Sequence, residues 1–569
     1  GCYGDKYARS PNLDKLATQG VRYTHAFGTT GVCSPNRSCL ITGVYPPALG
    51  SGGMRSTARL PDFIKCFGEY LQAAGYYCTN NVKTDYNFPT PKTAWNQCSR
   101  KAHWRGRKPG QPFFAVFNHM ITHESRCRGT SKDQKTFDPA KVPIPPFHPD
   151  TPEVRDNWAN YYENIRTMDA QAAKLLKDLD ADGLADNTIV FFFSDHGAGL
   201  PGCKKWVWGS GLHVPMIIRF GGKYVKHQPG KPGSVCDRMV SFVDFAPTVL
   251  SLAGVKIPDY MQGQAFLGAE AGKPRKYVYA HRDRIAERYD MVRVVRDADY
   301  QYNRNFMPHL PWSQFTSYTE EMPAMKAWRR LWEQDKLIGI QKRYFQTKPV
   351  EELYDTRTDP HQIHNLAADP KHQDALKRMR AECENWMKRT GDLGLLPEYE
   401  MHMRAAGGTT WKIRTDARKN PIAALLEAAG LAGERDPANA AKLARLLTDS
   451  ESAVRYWGAI GLSALKAKAS PAAAALTAAL SDKAPNVRIA AAEAMCNIGK
   501  RDKAMPVLIE GLAHATPFIR LRALNVLDRQ GKNAKPALPH IRRAAIKSRQ
   551  FRHVASYAGR LVSYIPKRL

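Results

Sequence analysis

Cys33-Ser34-Pro35-Asn36-Arg37-Ser38 places a thiol four residues ahead of an arginine, with a proline between them and Thr42-Gly43 behind. A thiolate is a nucleophile and a target for oxidation. By residue type alone Cys33 would be a buried small hydrophobe, so only the motif around it points to chemistry. Ser194-Asp195-His196-Gly197 sets a carboxylate beside an imidazole, donors for a metal or for proton transfer, although the same residues also suit a turn. His123 ends a polar run that begins at Asn118-His119. Lys83, with Asp85 two residues on, and Lys204 would each be a solvated surface charge if taken singly.

Two compact apolar runs must carry these groups. Phe113-Phe114-Ala115-Val116-Phe117 leads to His123, and Thr188-Ile189-Val190-Phe191-Phe192-Phe193 leads to Asp195. Both read as buried central strands of an α/β sheet, where ligands gather at the carboxyl ends. A Pro-rich surface loop, Val142 to Pro152, and a helix from about Glu153 to Leu179 separate them. The chain divides into an α/β domain over 1–270, a smaller α+β subdomain over 271–405, a linker over 406–420 and an all-α region over 421–569. In the last region Val454-Arg455, Val487-Arg488 and Ile519-Arg520 recur at intervals of 33 and 32 residues, each leading into a helix. That period indicates an α-solenoid, and the pattern resembles HEAT repeats.

The 569 residues carry 84 Lys and Arg against 53 Asp and Glu, a net charge of +31, with a hydrophobic fraction of 43%. That apolar content excludes disorder as the reason for the charge. Residues from 411 onward hold 28 basic and 11 acidic side chains, more than half of the surplus. Such a balance points to a polyanionic partner or substrate. No run of about 18 apolar residues is present, so no transmembrane helix is expected. Eleven cysteines without dense spacing are not a disulfide framework.

Cys33-x-Pro35-x-Arg37 with Thr42-Gly43 resembles the signature of the sulfatases. The likeness extends to Ser10-Pro11-Asn12-Leu13-Asp14-Lys15-Leu16, Gly20-Val21, Ser194-Asp195-His196-Gly197, Val214-Pro215 and Leu353-Tyr354-Asp355, and so covers about 1–400. Arg282 and the run Asn303 to Pro308 resemble most the heparan N-sulfatase-like branch. The resemblance implies the fold of that family and of alkaline phosphatase: a central sheet sandwiched by helices, then a smaller α+β subdomain, here followed by the HEAT-like solenoid. It also implies a catalytic formylglycine, made from Cys33 by a maturation enzyme, and a bound calcium ion.

Carried over residue by residue, the resemblance makes Arg37 the group that fixes the hydrated aldehyde, Lys83 and Lys204 the sulfate-binding lysines, and His123 the acid for the leaving group. Asp195 and His196 become the metal pair, Asp195 the harder ligand. Asp85 stands where many sulfatases have a histidine, and is expected to act as the base that collapses the sulfated intermediate. Arg282 and Arg284 are expected to touch a sugar carboxylate or a second sulfate, and the glycines of Ser51-Gly52-Gly53-Met54-Arg55 to make the pocket roomier.

The family also implies a strand ending in paired aspartates ahead of Gly1-Cys2-Tyr3-Gly4, so the chain is expected to be a piece of a longer protein, holding only Asp195 and His196 of the metal ligands. The function expected is hydrolysis of sulfate esters or sulfamates on a sulfated carbohydrate, in a periplasmic or secreted setting. The alternatives are an inactive sulfatase-like protein that binds polyanions, and a phosphatase or phosphonate hydrolase of the same superfamily, against which the cysteine motif argues. The basic repeats are a candidate polyanion contact. Nucleic acid is not expected, since the solenoid has few aromatic residues for base stacking and no reading motif.

Overall fold

The computed structural model describes residues 1–129, 136–544 and 547–569. Among them the first sheet runs Ile189–Phe193, His213–Phe220, Val21–Phe27, and both Val235–Cys236 and Val240–Ser241 pair in parallel with Val21–Phe27. Its antiparallel register sets Val21 opposite Ile218 and Tyr23 opposite Met216, apolar side chains that pack with Phe242 and Phe245. A second sheet is parallel throughout: Gln97–Cys98, Tyr77–Asn81 and Phe113–Phe117. The helix Pro152–Ala181 begins where expected, with Thr151 Oγ1 accepting the Val154 N–H at 3.3 Å and Pro152 in the first turn.

Phe113–Phe117 and Ile189–Phe193 form as their aromatic and β-branched content predicts, but neither is a buried central strand. Each is the last strand of its own sheet and is half-buried along its whole length. Together they line an apolar cavity of about 1260 Å³, with Ile165, Met168 and Leu176 of the long helix. Two open strand edges across an apolar space form a slot in which an extended segment would find backbone partners.

The third sheet is antiparallel, in the order Glu351–Asp355, Tyr300–Asn305, Val292–Arg296, Val278–Arg282, with the helix Gln373–Thr390 laid against it. One apolar core runs from this sheet (Tyr279, Val295, Leu353) through Trp386 and Leu425 into the solenoid at Trp457, Leu524 and Leu561. The 406–420 stretch is not a loose linker. Thr410 donates to the Leu49 carbonyl at 2.7 Å, and Trp411 is buried among Val44, Leu49 and Ile64.

The repeat arginines have a common structural task. Arg455, Arg488 and Arg520 each donate to a carbonyl six residues back, on Asp449, Asp482 and His514, at 2.9, 2.9 and 2.6 Å. Each thereby satisfies the turn ahead of its own helix. Arg455 also pairs with Asp482 of the next repeat at 2.6 Å, linking the units.

Candidate active site

Cys33 is the first residue of the helix Cys33–Thr42, so its sulfur sits at the positive end of the helix dipole. Pro35 falls in the first turn, where its missing N–H costs nothing. Gly43 ends the helix at φ 68°, in the left-handed region, and returns its N–H to the Cys39 carbonyl at 2.9 Å; Thr42 Oγ1 donates to Ser38 O at 2.7 Å. The Thr-Gly of the motif is therefore the helix terminus. At the other end Asn36 accepts the Thr29 N–H at 2.8 Å and donates to the Asp195 carbonyl, which ties the two motif-bearing loops together.

Cys33 Sγ lies 3.0 Å from His196 Nε2. Burial would push the thiol up, but Lys204, then His196 and Lys83, with a hydrogen bond from His123, hold it well below its ordinary value. Burial would lower His196, yet Cys33 and Asp195 raise it. Burial and Cys33 push Asp195 up, while His196, Lys83 and Arg37 together bring it below the usual carboxylate range. Its Oδ2 is 3.5 Å from Arg37 and 3.8 Å from Lys83. The result is a buried anion pocket with three fixed cations around one sulfur.

Arg37 and Lys204 are held from behind. Arg37 donates to the Thr84 carbonyl at 2.9 Å, to the Lys83 carbonyl at 2.6 Å and to Asn118 Oδ1 at 2.8 Å. Lys204, 5% exposed, sits 3.4 Å from Glu124, and Lys205 reaches the same carboxylate at 2.9 Å. Burial opposes the charge on Lys204, but Cys33 and Glu124 raise it, so it stays a cation. His123 Nδ1 accepts the Ser125 N–H at 3.3 Å, and its Nε2 lies 3.4 Å from Lys204 Nζ. Asn36, Asn118 and Glu124 were not singled out in the sequence. Asn118 and Glu124 lay in plain view, at the end of the Phe113–Phe117 strand and next to His123.

Cys33, Arg37, Lys83, His123, Asp195, His196 and Lys204 thus come together, and three expected residues do not join them. Asp85 sits at φ 51° with its carboxylate on Arg55 Nε, 3.4 Å away. Arg282, 5% exposed, pairs with Asp290 at 3.1 Å and stacks on Trp206 at 4.0 Å. Arg284, 2% exposed, forks onto Glu398 at 2.6 and 2.8 Å. Both arginines are committed inward, which removes them as sugar contacts. Nor do Gly52 and Gly53 open the pocket. A Cβ on Gly52 would strike the Asp283 carboxylate and one on Gly53 would come within 2.9 Å of Glu398 Oε1, so these glycines admit acidic side chains of the neighbouring subdomain.

Among the described residues, Cys33, Asp195 and His196 are the one group whose ligand atoms lie close enough to share a metal. Calcium takes roughly six to eight oxygens. One carboxylate, already neutralised by Arg37 and Lys83, does not make such a shell.

Residues 1–97 and 99–255 match the family model described as Sulfatase, and 473–558 that described as HEAT repeats. An ulvan-active sulfatase of Formosa agariphila is 39% identical over 447 residues, which span 70% of this chain and 74% of that protein. The N-sulphoglucosamine sulphohydrolase of Homo sapiens is 23% identical over 449 residues, 69% of this chain and 88% of that one. In three dimensions, the phosphonate monoester hydrolase of Silicibacter pomeroyi superposes with a TM-score of 0.51 at 17% identity, over 69% of this chain and 92% of its own; at that identity it speaks for the fold alone. With the signature helix, the buried cationic pocket and a close relative over most of its length, the chain belongs to the sulfatase family.

Proposed function

We propose that the protein hydrolyses sulfate esters or sulfamates on a sulfated glycan, in a periplasmic or secreted setting, with residue 33 as its nucleophile after conversion to formylglycine. The observation that carries the reading is the ring of Lys83, Lys204 and His196 around Cys33 at a helix N-terminus. The relatives support the substrate class, since one acts on ulvan by name and another is a sulphoglucosamine sulphohydrolase. As a hydrated aldehyde, residue 33 would supply one hydroxyl to attack sulfur and a second to expel sulfate.

The remaining chemistry belongs to the chain's own side chains. Lys83 and Lys204 would bind the sulfate oxygens and stabilise charge that grows on them during transfer. Arg37, locked by Asn118 and two carbonyls, holds the nucleophile's surroundings cationic. His123, whose Nδ1 is taken by Ser125, would protonate the leaving oxygen or nitrogen through Nε2. Asp85 is kept from Cys33 by its bond to Arg55, which removes it as the base that frees sulfate.

The donors present do not fit calcium. An extended segment paired with the edges of Phe113–Phe117 and Ile189–Phe193 would end beside Asn118 and Asp195, where the family's paired aspartates would add the oxygens calcium needs.

Two measurements decide. Sulfate release from sulfated oligosaccharides should vanish in Cys33→Ala, and unchanged release would sink the proposal. Mass spectrometry of the tryptic peptide Tyr23–Arg37 should show the aldehyde in place of the thiol after expression beside a maturation enzyme.

A further inference from the structure

The last solenoid helix, Arg552–Tyr564, presents His553, Tyr557, Arg560 and Tyr564 at i, i+4, i+7 and i+11, one face of a helix. That face meets the sulfatase part of the chain. Tyr564 stacks on Phe315 with ring centroids 3.5 Å apart, and Arg560 pairs with Glu287 at 3.4 Å. Tyr557, 2% exposed, puts its hydroxyl 3.5 Å from Arg55 Nη1 and lies under the Arg284 guanidinium at 5.6 Å. One turn earlier, His553 stands among Arg55, Arg552, Asp85 and Arg284; burial and the arginines hold it below its ordinary value, Asp85 opposing.

Arg55 joins this helix to the reaction centre. It lies on the loop that follows the nucleophile helix, its charge feels the Cys33 anion, and its Nε pairs with Asp85, two residues after Lys83. About a third of its side chain is exposed, unlike that of Arg284. Glu398 and Glu287 neutralise Arg284 and Arg560, whereas Arg55 meets Asp85 through Nε alone, at 3.4 Å, so the donors left to offer at this rim are those of Arg55 and of exposed Arg552.

We propose that the C-terminal helix is a wall of the substrate cleft, and that Arg55, Arg552 and His553 form a subsite for a second acidic group, a carboxylate or sulfate on the sugar next to the one being desulfated. The proposal rests on the sulfatase reading above and assigns to the solenoid a part in specificity. Tyr557 acts as a positioning residue: its hydroxyl fixes Arg55.

The test is calorimetry on the full chain carrying Cys33→Ala, with three probes: a disulfated, uronate-containing disaccharide, its carboxyl-reduced form, and its form lacking the second sulfate. Arg55→Ala and His553→Ala should each weaken the first probe about tenfold, the loss of one charged contact. The weakening should disappear for whichever probe lacks the group that the subsite holds, which distinguishes carboxylate from sulfate. Tyr557→Phe removes one hydroxyl with little risk to folding and should weaken the same probe by a smaller factor. Equal affinities in parent and variants, equal losses on all three probes, or no binding by the parent would each overturn the subsite. Binding without sulfate release by the Cys33-bearing chain, after maturation, counts against the sulfatase reading and not against the subsite.

Discussion

Lys204 and Lys205 share one buried carboxylate, that of Glu124, at 3.4 and 2.9 Å, and of the two only Lys204 goes on to His123, 3.4 Å away. Adjacent residues are thus assigned opposite duties by a backbone kink at Lys205, φ 76°: one lysine faces Cys33 and the other neutralises the anion that holds it. Lys205 is pinned further by Thr319 at 2.5 Å and by the Tyr318 ring at 5.5 Å.

Glu124→Gln keeps the shape and removes the charge. Lys204 then loses its anchor inside a cationic pocket, and kcat/KM for sulfate release should fall roughly 10- to 100-fold, as when an orienting partner is lost. Steady-state kinetics check this. A variant that matches the parent would show that Glu124 only fills space.

In chain that has not been converted, Cys33 should react with iodoacetamide at pH 6. Burial pushes Cys78, Cys127 and Cys203 up to about 12, so they should stay unmodified there. Exposed Cys98 is the internal reference. Peptide mass spectrometry across pH reads the outcome; a Cys33 curve that rises only with that of Cys98 would contradict the cationic pocket.

Acid should destabilise the fold before it protonates carboxylates in bulk. Burial lowers His148 and His402 to about 4. His148 is satisfied as the neutral ring, donating to the Pro201 carbonyl at 2.7 Å and accepting from Trp158 Nε1 at 2.9 Å. The unfolded chain takes up protons on these rings below about pH 6.5 while the folded chain does not until about 4. Stability is therefore full above 6.5 and falls as pH drops through that window, by about 1.4 kcal/mol per pH unit and histidine. Urea midpoints at pH 7 and 5 measure it, and His148→Gln should flatten the slope.

The solenoid should not separate from the rest. Arg288 is 3% exposed, pairs with Asp528 at 2.7 Å and donates to Asn525 at 3.1 Å, and Asn525 returns a bond to the Glu287 carbonyl at 2.8 Å. Arg288→Ala strands buried charge and should cost roughly 3 kcal/mol or more. Calorimetry should show one transition for the parent chain, and limited proteolysis should release no stable fragment beginning near residue 421. Two separate melts would show that the shared core is not cooperative.

The local features of the fold were legible because they depend on neighbours in sequence. The strands Phe113–Phe117 and Ile189–Phe193, the helix after Thr151 and the helical period around Arg455, Arg488 and Arg520 follow from composition and spacing. So do Cys33, Arg37, Asp195 and His123, whose neighbours mark them out. Less legible was the fate of a charge. Arg282, Arg284 and Asp85 look as available as Lys83 and Lys204, but whether an ionic side chain meets substrate or a buried partner depends on residues far along the chain: Asp290, Glu398 and Arg55.

By itself, then, the sequence determined the signature helix that begins at Cys33, the family and the presence of a helical repeat, all of which are encoded in short-range pattern. Only the tertiary structure decided which cations converge on Cys33, that Gly52 and Gly53 make room for acidic side chains and not for substrate, and that a basic tail which reads as a separate anchor packs its last helix beside Arg55. The physical reason is one of range: backbone propensity acts within a few residues, whereas a charge in a low-dielectric interior is settled by whatever partner the fold brings within a few ångströms.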